Sequence, residues 1–149
     1  MPLKAHDSAG WEIRPHTRED RDGIRAVYHE CLTEFPWHLG SMPDPDRLEY
    51  ALRYTTTLVA CEKSAGVVGF SILNSETGYL SHLFVLPDWR FCGIGSGLMQ
   101  VGKVLSIKPL CMELDLRNFS ARSACAAIGW REMAPQGTEA AGHIRLILE

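Results

Sequence analysis

The chain has 149 residues, of which 46% are hydrophobic and 22% charged, and its net charge is −3. This length and composition predict one domain with a packed core and argue against a disordered chain. No basic block is present, so nucleic acid is not an expected partner. No apolar run reaches the length of a membrane span, and the first residues lack the apolar segment of a signal peptide, so membrane association is not expected either.

The cysteines point to a reducing compartment. There are five of them, an odd number, and no two are spaced as C-x-x-C. Free cysteines in strands and helices behave as small hydrophobic residues. We therefore expect a cytoplasmic protein with no disulfide and no bound metal.

The N-terminal part of the chain predicts a lead-in, a strand and a helix. Residues 1–10 are expected to form a flexible lead-in, and residues 11–149 a single domain. Bulky residues over positions 11–14 predict a first strand. Apolar residues at helical spacing then predict a helix that ends near Leu32.

An irregular loop over residues 33–46 separates this helix from a second one, predicted over residues 46–54. Three prolines and a glycine interrupt any regular element in the loop. Trp37 and His38 lie in it. It is therefore either a lid over a substrate site or a segment that its aromatic side chains fasten to the core.

The remainder of the chain predicts a mixed sheet. Three consecutive strands joined by short turns are expected to be antiparallel, and the strand after the third helix is expected to lie parallel to the last of them. The fold class is α/β (α+β), a single domain with a mixed, strongly twisted sheet flanked by helices, in the order βααβββαβαββ. Ser120 is expected to cap the last helix. The strands are predicted over residues 57–62, 67–73, 79–86, 111–116, 130–133 and 143–148, and the helices over residues 98–105 and 121–128.

A glycine-rich turn follows the central strand and leads into the third helix. Gly93, Gly95 and Gly97 carry no Cβ atom, so the backbone can bend tightly and approach a ligand. The first N–H groups of a helix have no intrahelical partner and, together with the helix dipole, favour an anion. Arg90 adds a charge that pairs well with phosphate. The alternative is that the glycines serve packing alone, because such a turn is weak evidence by itself.

Two common nucleotide-binding motifs do not fit this turn. The dinucleotide pattern needs a third glycine where the chain has Leu98. The Walker A pattern needs a hydroxyl residue after Lys103, where the chain has Val104. A Rossmann or P-loop enzyme is therefore a distant alternative.

What remains is the pattern R-x-x-G-x-G, Arg90-Phe-Cys-Gly-Ile-Gly95, after the strand segment Leu83-Phe-Val-Leu-Pro87. A second segment, Asn118-Phe-Ser-Ala121 followed by Gly129-Trp130, lies downstream. In both segments, and in their order and separation, the chain resembles the GCN5-related N-acetyltransferase (GNAT) superfamily. The resemblance covers most of the chain from about Trp11 on.

The resemblance implies transfer of an acetyl group from acetyl-CoA, the acyl-donor co-substrate, to an amine of a small molecule or peptide. The pyrophosphate would bind the glycine-rich turn, and the pantetheine arm would pair with the central strand like an added strand. The backbone N–H of Leu83 would stabilise the thioester oxygen. Asn118 would contact the arm, unless it is only a turn residue after a strand. The implied cofactor-binding residues are Leu83, Phe84, Val85, Arg90, Phe91, Cys92, Gly93, Ile94, Gly95, Ser96 and Asn118.

The resemblance also implies direct attack by the amine, which needs a base whose pKa lies near neutral. His82 is the candidate, and the alternative is a structural histidine. Tyr79 stands near the position at which many relatives have a glutamate base. Glu113 and Asp115 are reserve bases that would act through water, unless they form an ordinary solvated strand face.

Cys125 is the largest departure from the family pattern. Many relatives have a tyrosine there as the general acid for the leaving thiolate, and a thiol is not tuned for this role without help. Two functions therefore stay open: an N-acetyltransferase, or a non-catalytic acetyl-CoA-binding module with a degenerate acceptor site. Exposed strand edges also leave a homodimer open. The residues expected to contact the acceptor are Trp37, His38 and Tyr79.

Overall fold

The structure is a computed structural model that describes residues 4–6, 10–34, 45–90, 92–133 and 142–149. Within these ranges, eight strands and four helices follow one another in the order ββααβββαβαββ. The α+β fold class is confirmed. The predicted order lacked one strand, because residues 4–6, which the sequence assigned to the lead-in, pair with the next strand.

The bounds of the elements agree with the sequence pattern to within a few residues. The helices are α1 (Arg21–Glu34), α2 (Pro45–Tyr54), α3 (Ile94–Leu105) and α4 (Phe119–Ala127). The strands are β1 (Lys4–His6), β2 (Trp11–Pro15), β3 (Thr56–Glu62), β4 (Gly66–Leu73), β5 (Leu80–Val85), β6 (Leu110–Asp115), β7 (Arg131–Glu132) and β8 (His143–Leu148).

Two antiparallel sheets form the centre of the fold. The first contains β1 to β5 in chain order, and the second has the order β6-β8-β7. The sheets meet at one parallel bridge between Tyr79 and Cys111, where the Cys111 N–H donates to the Gly78 carbonyl at 2.9 Å. The predicted parallel arrangement of β5 and β6 is confirmed at the start of these strands, and no later residue of the described strands continues the pairing.

The first sheet is covered on both faces. Buried residues of α1 and α2 pack on Val59, Phe70 and Ile72 on one face. The other face belongs to a larger core that α3 shares with both sheets. Because side chains alternate along a strand, β5 directs Phe84 to the first face and Leu83 to the second.

The N-terminal cap of α4 differs from the predicted one. Asn118, not Ser120, caps the helix, because its side-chain oxygen accepts the N–H three residues later at 3.2 Å. Gly129, at φ 105°, follows the end of the helix, and the Trp130 N–H donates to the carbonyl of Cys125 at 3.0 Å. Among the residues of α4, Cys125 alone is buried.

The junction of the two sheets yields a stability prediction at Gly78. Its φ is +81°, and a Cβ atom there would lie 2.2 Å from the carbonyl oxygen of Pro109. Gly78→Ala is expected to lower the free energy of unfolding by about 3 kcal/mol or more, because backbone strain and overlap add. The control is Gly66→Ala, where φ is +77° but no described atom lies within 4 Å, and its expected cost is about 1–2 kcal/mol. Urea unfolding measures both, and equal losses would contradict the prediction.

Candidate active site

β5 and β6 part directly after the bridge between Tyr79 and Cys111 and leave a gap between the two sheets. The register of β5 against β4 defines which backbone groups of β5 face this gap. Opposed residues in antiparallel strands alternate between pairs that exchange hydrogen bonds and pairs that do not. The Leu86 N–H donates to the Val68 carbonyl at 2.9 Å. Counting from there, Phe84 is in a bonded pair with β4 and Leu83 is in a non-bonded pair. The N–H and C=O of Leu83 therefore point away from β4, toward the gap.

Two other predicted cofactor residues of β5 are arranged differently. Phe84 pairs with β4, and its ring packs edge to face on Tyr28 with centroids 5.5 Å apart. Neither its backbone nor its ring is directed at the gap, so this prediction is corrected. Val85 has the orientation of Leu83, but its carbonyl already accepts from Arg90 Nε at 3.0 Å and from Cys31 Sγ at 3.4 Å.

The turn before α3 has free donors and open space. Gly93 caps the helix in the left-handed conformation, at φ 90°. The Gly97 N–H makes the first helical bond, to the Gly93 carbonyl at 2.9 Å, so the N–H groups of Ile94, Gly95 and Ser96 precede the helical ladder. A Cβ atom at Gly95 would meet no described atom within 4 Å. Packing therefore does not require a glycine there, which weighs against the alternative that the glycines serve packing alone.

The remaining residues of the turn anchor it to the protein. Ile94 is 1% exposed, so it offers its backbone N–H to a ligand while its side chain lies in the core. The Cys92 thiol donates to the Trp89 carbonyl at 2.8 Å. Arg90 is bonded to the end of β5. Phe91 lies outside the described residues.

His82 lies on the face that α1 and α2 cover. Its ring is within 6.3 Å of the rings of Tyr28, Phe70 and Phe84, centroid to centroid, and its Nδ1 is 2.8 Å from Ser81 Oγ. Burial, with a smaller effect of the positive charge of Arg47, lowers the pKa of His82 to about 4. The expected near-neutral pKa is therefore wrong, and the ring is uncharged at physiological pH.

A hydrogen bond links Tyr79 and Glu113 across the junction of the sheets. The Tyr79 hydroxyl donates to Glu113 Oε1 at 3.3 Å. Burial and then the Glu113 charge raise the pKa of Tyr79, so the phenol keeps its proton. Glu113 is exposed and stands opposite Arg145 on β8. The sequence predictions treated Tyr79 and Glu113 separately, although the predicted parallel pairing of their strands contained the signal for this contact.

Three further predicted residues are occupied by structural roles. Asp115 accepts from Arg117 at 2.9 and 2.8 Å, which holds the pKa of Asp115 well below its usual range and makes it a poor base. Cys125 is 5% exposed, and burial raises the pKa of its thiol to about 11. Asn118 caps α4, which is the structural alternative for this residue. Trp37 and His38 lie outside the described residues.

The described residues also form a cavity that none of the predicted site residues lines. The cavity has a volume of about 570 Å³ and lies between α1 and the β3–β4 hairpin. Its lining includes Arg14, Asp20, Cys61 and Glu62. No group of three or more described His, Cys, Asp or Glu side chains is arranged to hold a metal ion. All five cysteines are free thiols. None of the helices that the structure describes is long and apolar enough to cross a membrane.

Known proteins share this fold. A sequence model of the acetyltransferase (GNAT) family matches residues 22–104, and no curated protein sequence gives a significant match. Apo-form YjaB from Escherichia coli has a TM-score of 0.68 at 18% identity, over 92% of this chain and 96% of that chain. PaiA N-acetyltransferase from Thermoplasma acidophilum, in complex with coenzyme A, has a TM-score of 0.66 at 16% identity, over 93% and 98%. A GNAT family acetyltransferase from Elizabethkingia anophelis, with acetyl-CoA bound, has a TM-score of 0.65 at 16% identity, over 94% and 98%.

These findings define the class of protein. The family match covers more than half of the chain, and the structural likeness extends over nearly all of it. The chain belongs to the GNAT acetyltransferase family, and the resemblance read from the motifs is confirmed. At these identities the solved structures support the fold alone.

The environment of His82 predicts its titration. Because its pKa in the folded protein is about 4, the ring resonances should titrate with a midpoint near pH 4 in an NMR titration, with His82→Gln providing the assignment. The unfolded chain binds the proton at about pH 6.5. Between these pH values, stability should therefore fall with falling pH more steeply in the wild type than in His82→Gln. A midpoint near pH 6.5 would contradict the assigned burial.

Proposed function

We propose that the protein is an N-acetyltransferase that moves an acetyl group from acetyl-CoA to a primary amine of a small molecule or peptide. The observation that carries the proposal is the parting of β5 from β6 beside the glycine-rich turn. The gap presents the peptide groups of Leu83, and the turn presents the first N–H groups of α3. A long ligand with an anionic end and an amide-containing arm fits this combination.

Leu83 has two roles in this proposal. Its N–H and C=O can bond the pantetheine arm as an added strand would. When the amine attacks, negative charge develops on the thioester oxygen, and an N–H fixed in the gap stabilises that charge without having to reorganise. The pyrophosphate binds at the turn, at the N–H groups of Ile94, Gly95 and Ser96.

The reaction is a direct displacement in a ternary complex. The neutral amine nitrogen forms a bond to the thioester carbon and loses one of its two protons, the carbon–sulfur bond breaks, and the thiolate of CoA takes up a proton. The attacking ammonium must first lose a proton to a base. We assign Glu113 to attract the ammonium and to accept its proton through water, with Tyr79 orienting the carboxylate. His82 is a weaker candidate base, since its pKa is about 4.

The second candidate is a non-catalytic module that binds acetyl-CoA. Two points favour it. By the resemblance, Tyr79 stands near the position at which many relatives have a glutamate base. The Cys125 thiol, with a pKa of about 11, is buried in the core. The two functions differ in turnover. Release of CoA with any amine of a broad panel excludes the module, while tight binding without release favours it.

Acetyl-CoA binding is the first expected outcome. Isothermal titration should give micromolar-range binding of acetyl-CoA, with no binding of ATP or NAD, because the turn lacks the defining residues of both nucleotide motifs. The three ligands are compared in the same buffer. Absence of acetyl-CoA binding would overturn both candidate functions.

The acceptor side is tested by Glu113→Gln. This change keeps the size of the side chain and removes its charge, so turnover with a cationic amine should fall at least about tenfold, as loss of a general base does. The affinity for acetyl-CoA should not change. The control is Glu76→Gln, in the exposed turn before β5. CoA production is measured by chromatography, and a rate equal to that of the control would remove Glu113 from the mechanism.

A further inference from the structure

The indole of Trp11, on β2, reaches the glycine-rich turn through the core that the first sheet shares with α3. Trp11 begins β2 and is 2% exposed. Its Nε1–H donates to the carbonyl of Cys92 at 3.1 Å, across 81 residues of sequence. Its ring also underlies the next residue, because a Cβ atom on Gly93 would lie 3.6 Å from Trp11 Cζ2. A rigid core residue therefore holds one peptide group of the turn.

The peptide held in this way is the one between Cys92 and Gly93. The structure contains no cis peptide bond among the described residues. In a trans peptide, the carbonyl and the N–H point in opposite directions. A Cys92 carbonyl fixed toward Trp11 in the core therefore turns the Gly93 N–H outward, to the side from which a ligand approaches α3.

This orientation needs an external restraint. Gly93 is at φ 90°, and glycine adopts positive and negative φ about equally well. The Cys92–Gly93 peptide can therefore rotate at little cost to the glycine, and rotation would present a carbonyl where the anion binds. The hydrogen bond from Trp11 opposes that rotation.

We propose that Trp11 is a positioning residue of the cofactor site: by holding the Cys92 carbonyl, it keeps the Gly93 N–H directed at the pyrophosphate of acetyl-CoA. This inference rests on the proposed function, and it adds a residue that no motif includes. Trp11 acts through the turn and does not touch the ligand.

The test compares two equivalent substitutions in one core. Trp11→Phe removes the indole N–H and keeps an aromatic ring. Trp130→Phe is the matched control, because Trp130 is buried in the same cluster and donates its indole N–H to Met99 Sδ of α3 at 3.0 Å, not to the turn. Acetyl-CoA binding is measured by isothermal titration, and binding of S-acetylpantetheine, which lacks the pyrophosphate, by NMR titration.

Trp11→Phe is expected to weaken acetyl-CoA binding about tenfold, as loss of one hydrogen bond that orders a charged site would. It should leave S-acetylpantetheine binding unchanged, and Trp130→Phe should change neither. If the wild type binds acetyl-CoA and Trp11→Phe binds it equally well, or if both ligands weaken alike, the role of Trp11 is overturned while the proposed function stands. If the wild type does not bind acetyl-CoA, both are overturned.

A second measurement decides the question without relying on the folding of a variant. Coupling between a bound ligand and a hydrogen bond is reciprocal. Acetyl-CoA should therefore slow hydrogen exchange of the Trp11 indole N–H in the wild type, and S-acetylpantetheine should not. The Trp130 indole serves as the internal reference. Equal exchange of the Trp11 indole with and without acetyl-CoA overturns the inference.

Discussion

The bridge between Tyr79 and Cys111 is the constraint on which the candidate site depends. Each sheet is antiparallel, and in the described structure the two sheets pair with each other at this bridge. Gly78 makes it possible, because a side chain there would overlap the backbone of Lys108 and Pro109, directly before β6. Since pairing stops after one residue, Leu83 keeps peptide groups that none of the described strands uses. A ligand can then complete the sheet locally.

The glycine-rich turn is open to a ligand and yet fastened at several points. Arg90 bonds the end of β5, Cys92 bonds the carbonyl of Trp89, and Trp11 bonds the carbonyl of Cys92. Glycines alone would give a mobile loop, because they restrict the backbone least. The anchors supply the order that a site needs if it is to bind an anion without first ordering itself. Two of these restraints are local to the turn, and the third, Trp11, comes from a distant part of the chain.

Burial separates the titratable groups of the site into distinct roles. His82 lies against three aromatic rings and is uncharged at physiological pH. Cys125 is enclosed by the main core and keeps its proton. Glu113, which is exposed and bonded to Tyr79, is the base that we propose. Proton transfer in the proposed reaction is therefore assigned to the rim of the site rather than to its interior.

The sequence by itself determined the elements, the turn and the family, because hydrophobic periodicity, glycines and the R-x-x-G-x-G pattern are all local in the chain. It missed β1, three residues long, because so short a strand has no periodicity. Tertiary structure alone decided that Phe84 turns away from the gap, that the pKa of His82 falls to about 4, and that Trp11 meets Cys92. These outcomes depend on strand register, on desolvation and on a contact between residues 81 positions apart. All three are set by which surfaces pack against each other, and no local sequence pattern contains that information.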